Sequence, residues 1–172
     1  QIINDNQLSW EPASNPTSST IESTGIMAND LLGTNHLIVG NNITSKLSGD
    51  KSFLRSGIDL SGNALQTYVC ENEISRTHFG VHCAGTLSNT FLKKNIFGNA
   101  ASGLDCQAQT TMPTQNLFEN VWTGAYANWG AIYEGGSPLF GFVFDPSPLL
   151  MNDQPPTVSP PGWFTTGSGS NS

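Results

Sequence analysis

The sequence predicts an all-β fold in which short strands stack as the turns of a coil, and two repeated motifs carry this prediction. A glycine followed by apolar, polar and apolar residues recurs at intervals of 23 residues, beginning at Gly57, Gly80 and Gly103. An asparagine follows these glycines after 15, 15 and 17 residues, at Asn72, Asn95 and Asn120. A weaker copy pairs Gly25 with Asn41. Fixed periods of about 20–50 residues are the signature of repeat architectures.

The alternation after each glycine predicts a half-buried strand, because successive side chains of a strand point to opposite faces. The residues expected to point inward are Ile58, Leu60, Val81, Cys83, Leu104 and Cys106. A second strand is expected in each unit, at residues 67–70, 90–92 and 115–118. Stacked turns of this kind lie about 4.8 Å apart, like neighbouring strands of a sheet.

The repeated asparagines and glycines have expected structural roles. Asn41, Asn72, Asn95 and Asn120 occupy equivalent positions, so their side-chain amides should hydrogen-bond to one another along the axis of the coil. The glycines suit either a positive φ or a close approach of two backbones. The longer interval between Ile43 and Gly57 predicts a surface loop over residues 44–56.

These motifs resemble the repeat of right-handed parallel β-helix proteins. Residues 122–131, 144–146 and 160–164 are in addition similar to the C-terminal part of β-helix domains in secreted surface proteins of Bacteroidota-type bacteria. The resemblance implies a right-handed parallel β-helix of about four turns with a non-repetitive C-terminal cap. It also implies an extracellular or cell-surface location.

Composition along the chain suggests four segments. Residues 1–20 form a polar segment without an evident cap, so the N-terminal end of the coil is expected to continue into further chain or to dock on a partner. The repeats occupy residues 21–122. A segment rich in proline and aromatic residues, 123–164, is expected to cap the coil and wrap its flank. The Gly/Ser-rich residues 165–172 are expected to be disordered.

The composition and net charge of the chain make two classes of partner unfavourable. Only 11% of the 172 residues are charged, against about 25% in an average domain, and the net charge is −7. An acidic chain is a poor ligand for nucleic acid or for an anionic membrane surface. The sequence contains no apolar segment of about 18 residues, so a membrane-spanning helix is not predicted. No cofactor motif is present, and polysaccharide or another cell-surface molecule is the partner class that we expect.

The three cysteines predict neither a disulfide framework nor a zinc site. Cys83 and Cys106 fall at equivalent positions one turn apart, where they are expected to act as small buried apolar residues. A disulfide between the two turns is the alternative, and the sequence leaves the redox state of all three cysteines, including Cys70, open.

The first candidate site is formed by Asp59, His82 and Asp105, which occupy the outward position of the first strand in three consecutive turns. An imidazole between two carboxylates can act in acid–base chemistry, and carboxylates about 9–10 Å apart suit inversion at a sugar. The alternative is electrostatic stabilisation between exposed cross-strand neighbours. Paired aspartates, Gly-His-Gly and Arg-x-Lys, the motifs of β-helix hydrolases and lyases, are absent near this ladder.

The second candidate site is an aromatic cluster with spacings of four, three and four residues, comprising Trp122, Tyr126, Trp129 and Tyr133. This spacing indicates one face of a short helix or a compact loop, and the neighbouring glycines favour the loop. Exposed, the rings would form a platform on which sugars stack. Buried, they would close the open end of the coil.

Taken together, the sequence predicts a non-catalytic extracellular module of a bacterial secreted or cell-surface protein, serving as a spacer, an adhesin or a glycan-contacting surface. A polysaccharide lyase or glycoside hydrolase that uses the Asp59, His82 and Asp105 face is one alternative. A structural subunit that stacks end to end into a fibre is the other.

Overall fold

The computed structural model describes residues 1–10, 23–45, 54–107, 110–111, 119–123, 126–133 and 164–166, and every regular element in these ranges is a β-strand. The strands are β1 (Ile2–Asn4), β2 (Gln7–Trp10), β3 (Ser23–Asn29), β4 (His36–Val39), β5 (Asn42–Ser45), β6 (Leu54–Asn63), β7 (Thr67–Cys70), β8 (Glu73–Ser75), β9 (Thr77–Thr86), β10 (Thr90–Lys93), β11 (Ile96–Phe97), β12 (Ala100–Cys106), β13 (Val121–Trp122), β14 (Tyr126–Tyr133) and β15 (Phe164–Thr166).

The strands form three parallel sheets. The four-stranded sheet has the order β1-β4-β7-β10, the five-stranded sheet β13-β11-β8-β5-β2, and the six-stranded sheet β15-β14-β12-β9-β6-β3. From β4 to β9 the chain visits the three sheets in turn and then returns to the first, so each circuit adds one strand to each sheet. The fold is therefore a parallel β-solenoid of about three turns. The right hand and the fourth turn stay predictions.

The core lies inside the coil, as the alternation predicted. All six residues expected to point inward from the six-stranded sheet are buried and belong to the apolar core, as predicted. The other two sheets close the core with Ile38, Val69, Leu92, Ile43, Ile74 and Phe97.

The repeated glycines serve close backbone approach, the second of their two expected roles. A Cβ atom on Gly57 would lie 2.8 Å from the carbonyl oxygen of Gly80, and one on Gly103 would lie 2.6 Å from that of Gly130. Neither residue has a positive φ. Any side chain at these positions would push neighbouring turns apart, and for this reason glycine recurs.

The sheets extend beyond the limits of 21 and 122 that the sequence suggested for the repeats. Strands β1 and β2 pair with β4 and β5, although residues 1–20 had been interpreted as a polar segment. Strand β14 pairs with β12, and β15 with β14, so residues 165 and 166 of the expected disordered tail lie in a strand.

The loop predicted over residues 44–56 is wrong at both ends of that range, since Thr44 and Ser45 belong to β5 and residues 54–56 to β6. Residues 46–53, the strand expected at 115–118 and most of the segment 123–164 lie outside the described residues.

Candidate functional site

The ladder predicted from the sequence forms on the six-stranded sheet. Asp59 on β6 is in register with His82 on β9, and His82 is in register with Asp105 on β12. The register follows from the repeat, because Gly57, Gly80 and Gly103 stack closely from turn to turn and each lies two residues before the ladder residue of its strand. At one turn per step, the main chains of Asp59 and Asp105 lie about 9–10 Å apart, with His82 on the strand between them.

The imidazole is bonded to one of the two carboxylates. His82 Nδ1 lies 2.7 Å from Asp105 Oδ2. An ionised carboxylate only accepts, so Nδ1 donates its hydrogen and Nε2 is the nitrogen available to another group. A carboxylate that orients an imidazole in this way is the arrangement used in general acid–base catalysis.

The ladder is more buried than the sequence suggested. Asp59, His82 and Asp105 are only 8%, 4% and 9% exposed, so the expectation of solvated surface charges is wrong for this part of the sheet. The Phe79 ring stacks against the His82 ring, with centroids 5.2 Å apart and an interplanar angle of 23°. Phe79, three positions before His82 on the same strand, therefore covers the His82 ring.

A second histidine lies at the edge of this cluster. The His78 ring meets the Phe79 ring edge-on, with centroids 4.4 Å apart. Burial lowers the pKa of His78; Asp105 opposes this shift, and Arg55 adds to it. His78 is therefore favoured in its neutral form beside the ladder.

Apolar residues bound the ladder at both ends. Met27 on β3 pairs with Asp59, and Ile132 on β14 pairs with Asp105. The ionisable residues of this row therefore lie on three of the six strands, β6, β9 and β12. In the described residues, no group of three or more His, Cys, Asp and Glu side chains could hold a metal ion.

The inner face of the same strands carries two thiols. Cys83 and Cys106 are in register and buried, as predicted, and both are free thiols rather than a disulfide; Cys70, half-buried, is also free. The hydrogen bond with Cys106, followed by burial, raises the pKa of the Cys83 thiol well above its usual range. These thiols fill the core and are separated from the acidic ladder by the strand itself.

Two side chains of the aromatic cluster are described, and Trp122 is buried while Tyr126 is half-buried. Residues Tyr126–Tyr133 form strand β14, so the interpretation of the spacing as a helix or loop is wrong. Trp122 is buried, its Nε1 donates to the carbonyl oxygen of Gly130 at 2.7 Å, and its ring packs on Phe97. For Trp122 the structure thus favours closure of the core over a ligand platform.

The other three aromatic residues all lie on β14. The Tyr126 hydroxyl donates to the carbonyl oxygen of Phe97 at 2.5 Å and lies 3.2 Å from that of Thr123; burial raises its pKa. The side chains of Trp129 and Tyr133 lie outside the described part of the chain, so their role as a sugar platform stays a prediction.

The asparagine ladder is confirmed and contains one member that the sequence pattern missed, Asn6. Successive Nδ2 atoms donate to the Oδ1 atom of the next turn at 2.9, 2.8, 3.0 and 3.0 Å, from Asn6 through Asn41, Asn72 and Asn95 to Asn120. The backbone N–H of each donor asparagine reaches the same oxygen at 3.0–3.2 Å.

The residue before each ladder asparagine has a left-handed conformation. The φ values are 52° at Asp5, 68° at Gly40, 56° at Glu71, 54° at Lys94 and 57° at Glu119. Only one of these five residues is glycine, so the residue type at this position does not reveal the left-handed turn. The hydrogen bonds of the neighbouring asparagines stabilise a conformation that side chains rarely adopt.

A third row of side chains, on the outer face of the four-stranded sheet, was missed by the sequence analysis. Leu37, Tyr68 and Phe91 are in register and half-buried, and the Tyr68 and Phe91 rings stack with centroids 5.5 Å apart. The 23-residue interval between the two aromatic residues was the available signal.

No helix among the described residues is long and apolar enough to span a membrane. No protein-family model, curated protein or solved structure matches this chain.

Proposed function

We propose that this chain is a non-catalytic extracellular module of a bacterial secreted or cell-surface protein, in which the solenoid is a spacer with a side face for glycans or other cell-surface molecules. Low charge, abundant Asn, Ser, Thr and Gly, and the resemblance of residues 122–131, 144–146 and 160–164 to secreted β-helix domains support the location. The right-handed coil and the relation to Bacteroidota-type surface proteins belong to the same proposal.

The observation that carries the proposal is the way in which repeated polar side chains bond along the coil. Five asparagines bond from turn to turn. The single described His–Asp pair also bonds from turn to turn and is largely covered. Groups engaged in this way stiffen an elongated body, whereas catalytic groups must reach a substrate.

The outer face of the four-stranded sheet is the surface on which we place the contact with partners. The Tyr68 and Phe91 rings stack on each other at half-buried positions of this face, and Tyr68 carries a hydroxyl. Aromatic side chains with a polar tip are favoured where a protein meets sugars or proteins. Trp122 is not part of this surface, because its ring lies in the core.

Native electrophoresis through gels that contain acidic or neutral polysaccharides tests the proposal. We expect retardation of the band without clearing of the glycan, and release of that retardation by Tyr68→Ala. Leu65→Ala, which removes an exposed leucine elsewhere, is the matched control and should leave the migration unchanged. A cleared zone at the protein band would overturn the non-catalytic proposal. Unaltered migration in every gel would rule out glycan binding and leave the spacer role as the remaining part of the proposal.

An enzyme is the second candidate, and the 2.7 Å contact between His82 and Asp105 favours it. In that case His82 would act as general base or acid, Asp105 would orient it, and Asp59 would be the second carboxylate. Clearing that is abolished by His82→Ala and Asp59→Asn, with unfolding curves close to those of the parent chain, would establish this alternative.

A further inference from the structure

Two buried polar groups in the ladder of Asp59, His82 and Asp105 have no hydrogen-bond partner. Asp59 is 8% exposed, and within the described ranges its carboxylate takes part in no hydrogen bond or ion pair. His82 is 4% exposed, and its one hydrogen bond, from Nδ1 to Asp105, leaves Nε2 without a partner among the described residues. Buried polar side chains are nearly always hydrogen-bonded, so two adjacent exceptions indicate a site for a ligand.

These two groups lie on neighbouring strands. Asp59 on β6 is in register with His82 on β9, and β12, which carries Asp105, lies on the other side of β9. The two nitrogens of an imidazole are directed to nearly opposite sides of the ring. Because Nδ1 meets Asp105 Oδ2 at 2.7 Å, Nε2 is directed away from β12 and toward the strand that carries Asp59. A small group between the two side chains can therefore contact both.

The hydrogen-bonding character of Asp59 and His82 defines the ligand. A carboxylate only accepts, and Nε2 of a neutral imidazole also accepts when Nδ1 carries the hydrogen. The ligand must therefore supply two donors. The two carboxylates of the ladder favour a positively charged donor, and a primary ammonium has three N–H groups. Arg55, whose charge acts on His78 at the edge of the ladder, makes no ion pair with Asp59.

We propose that Asp59 and His82 bind the amine of an amino sugar that is not acetylated. The ammonium donates to the Asp59 carboxylate, and the hydroxyl on the neighbouring carbon donates to His82 Nε2. Only this amine and hydroxyl have to enter, from the side where the Asp105 side chain keeps 12% exposure. No bond of the sugar is broken, so the site suits a non-catalytic module. The ammonium site is independent of the proposed function, whereas the choice of a sugar as its carrier rests on it.

An NMR titration of the full chain with D-glucosamine near pH 7 tests the site. The signals of the His82 ring and the Asp59 amide should shift and saturate, with a Kd on the order of 1 mM for a ligand of this size. N-acetyl-D-glucosamine and D-glucose keep the ring but lack the ammonium. Both should bind at least about tenfold more weakly, because a charge pair in a largely buried site is lost.

Two aspartate variants locate the binding. Asp59→Asn keeps the shape of the side chain but removes its charge, and it should lower the affinity for glucosamine by about tenfold or more. Asp30→Asn removes the same charge from an exposed side chain just after β3 and is the matched control. Its affinity should stay within about twofold of the parent value, since exposed charges contribute little. Urea unfolding of both variants checks that the fold is retained.

Each part of the proposal can fail separately. The absence of saturable shifts with glucosamine would overturn the site. Equal affinity for glucosamine and glucose would overturn the ammonium, and equal affinity in the parent chain and Asp59→Asn would overturn its placement. Methylammonium has the charge without the ring, so affinity equal to that of glucosamine would overturn the sugar. None of these results bears on the Tyr68-dependent retardation in glycan gels, so failure of this site is distinguishable from failure of the proposed function.

Discussion

Two polar ladders run along the same coil, and they differ in the chemistry of their members. The asparagine ladder consists of five identical side chains. The second ladder, formed by Asp59, His82 and Asp105, contains two carboxylates and one imidazole. An amide donates and accepts, so identical amides satisfy one another through any number of turns. A carboxylate only accepts, so its ladder needs a donor between acids. The mixed ladder is bounded by Met27 and Ile132, while the amide ladder reaches Asn6.

The comparison indicates which ladder holds the fold together. Each inner asparagine also bonds to main-chain carbonyls, for example Asn72 Nδ2 to Ile38 O at 2.9 Å. The mixed ladder contains one direct bond, His82 to Asp105, among its three members. We therefore expect stability to depend strongly on the first ladder and moderately on the second.

The largest effect is expected for Asn72→Ala, in the middle of the amide ladder. The change leaves Asn41 N without its side-chain acceptor and Ile38 O without its side-chain donor, and it removes the shortest of the bonds made by Asn41 Nδ2. At about 1–3 kcal/mol for each buried unsatisfied group, the free energy of unfolding should fall by roughly 3–5 kcal/mol, a large share of a typical domain's stability. Urea unfolding measures this loss. Asn6→Ala, at the exposed end, should cost less than about 1 kcal/mol, and equal losses would contradict the ladder's role.

A moderate effect is expected at the mixed ladder. His82→Ala and Asp105→Ala should each lower the free energy of unfolding by about 1–3 kcal/mol, because each variant leaves the other residue of a buried, charge-assisted hydrogen bond without its partner. A double-mutant cycle between the two residues should give a coupling of about 0.5–3 kcal/mol. Additive losses would show that the 2.7 Å contact contributes nothing, and the same cycle between His82 and distant Leu65 is the control.

A smaller, pH-dependent effect on the free energy of unfolding is expected from Cys83, on the inner face of β9. In the folded chain Cys83 retains its proton above the usual thiol pKa of 9.0, whereas the unfolded chain releases it. The stabilisation is present below about pH 9 and is lost as pH rises further, by at most about 1.4 kcal/mol per pH unit for one group. Urea midpoints measured from pH 8 to 10 should fall less steeply in Cys83→Ala. The slope is reduced rather than abolished, since burial also raises the pKa of Cys70. An identical slope in parent and variant would be inconsistent with this account.

The smallest effect is expected at a polar group that belongs to neither ladder. Thr77 Oγ1 is buried, and no described atom bonds to it. Valine has a similar shape without the hydroxyl, so Thr77→Val should raise the free energy of unfolding by about 1 kcal/mol. The exposed Thr86→Val on the same strand should change it by less than about 0.5 kcal/mol. Thermal unfolding of the two variants would distinguish them, and a loss at Thr77 would indicate a bond that the structure does not contain.

Much of the fold could be predicted because residues that are one repeat apart in the sequence occupy equivalent positions in neighbouring turns. The 23-residue interval placed His82 between Asp59 and Asp105 and aligned Asn72 with Asn95, and the repeated motif aligned Asn120 across an interval of 25 residues. Asn6 was missed because residues 11–22 separate it from the regular units and no glycine motif accompanies it. The Tyr126–Tyr133 strand was missed because a spacing of three and four residues suggests a helix, whereas pairing with β12 decides the local structure.

The sequence by itself determined the parallel coil, the inward residues and the register of the ladders. These follow from period and alternation, which are local properties repeated at a fixed interval. Only the tertiary structure decided the burial of Asp59, His82 and Asp105, the bond from His82 to Asp105, and the place of Trp122 in the core. Burial and side-chain pairing depend on which residues from other turns lie nearby, for example the Gly130 carbonyl that accepts from Trp122. No local pattern contains that information.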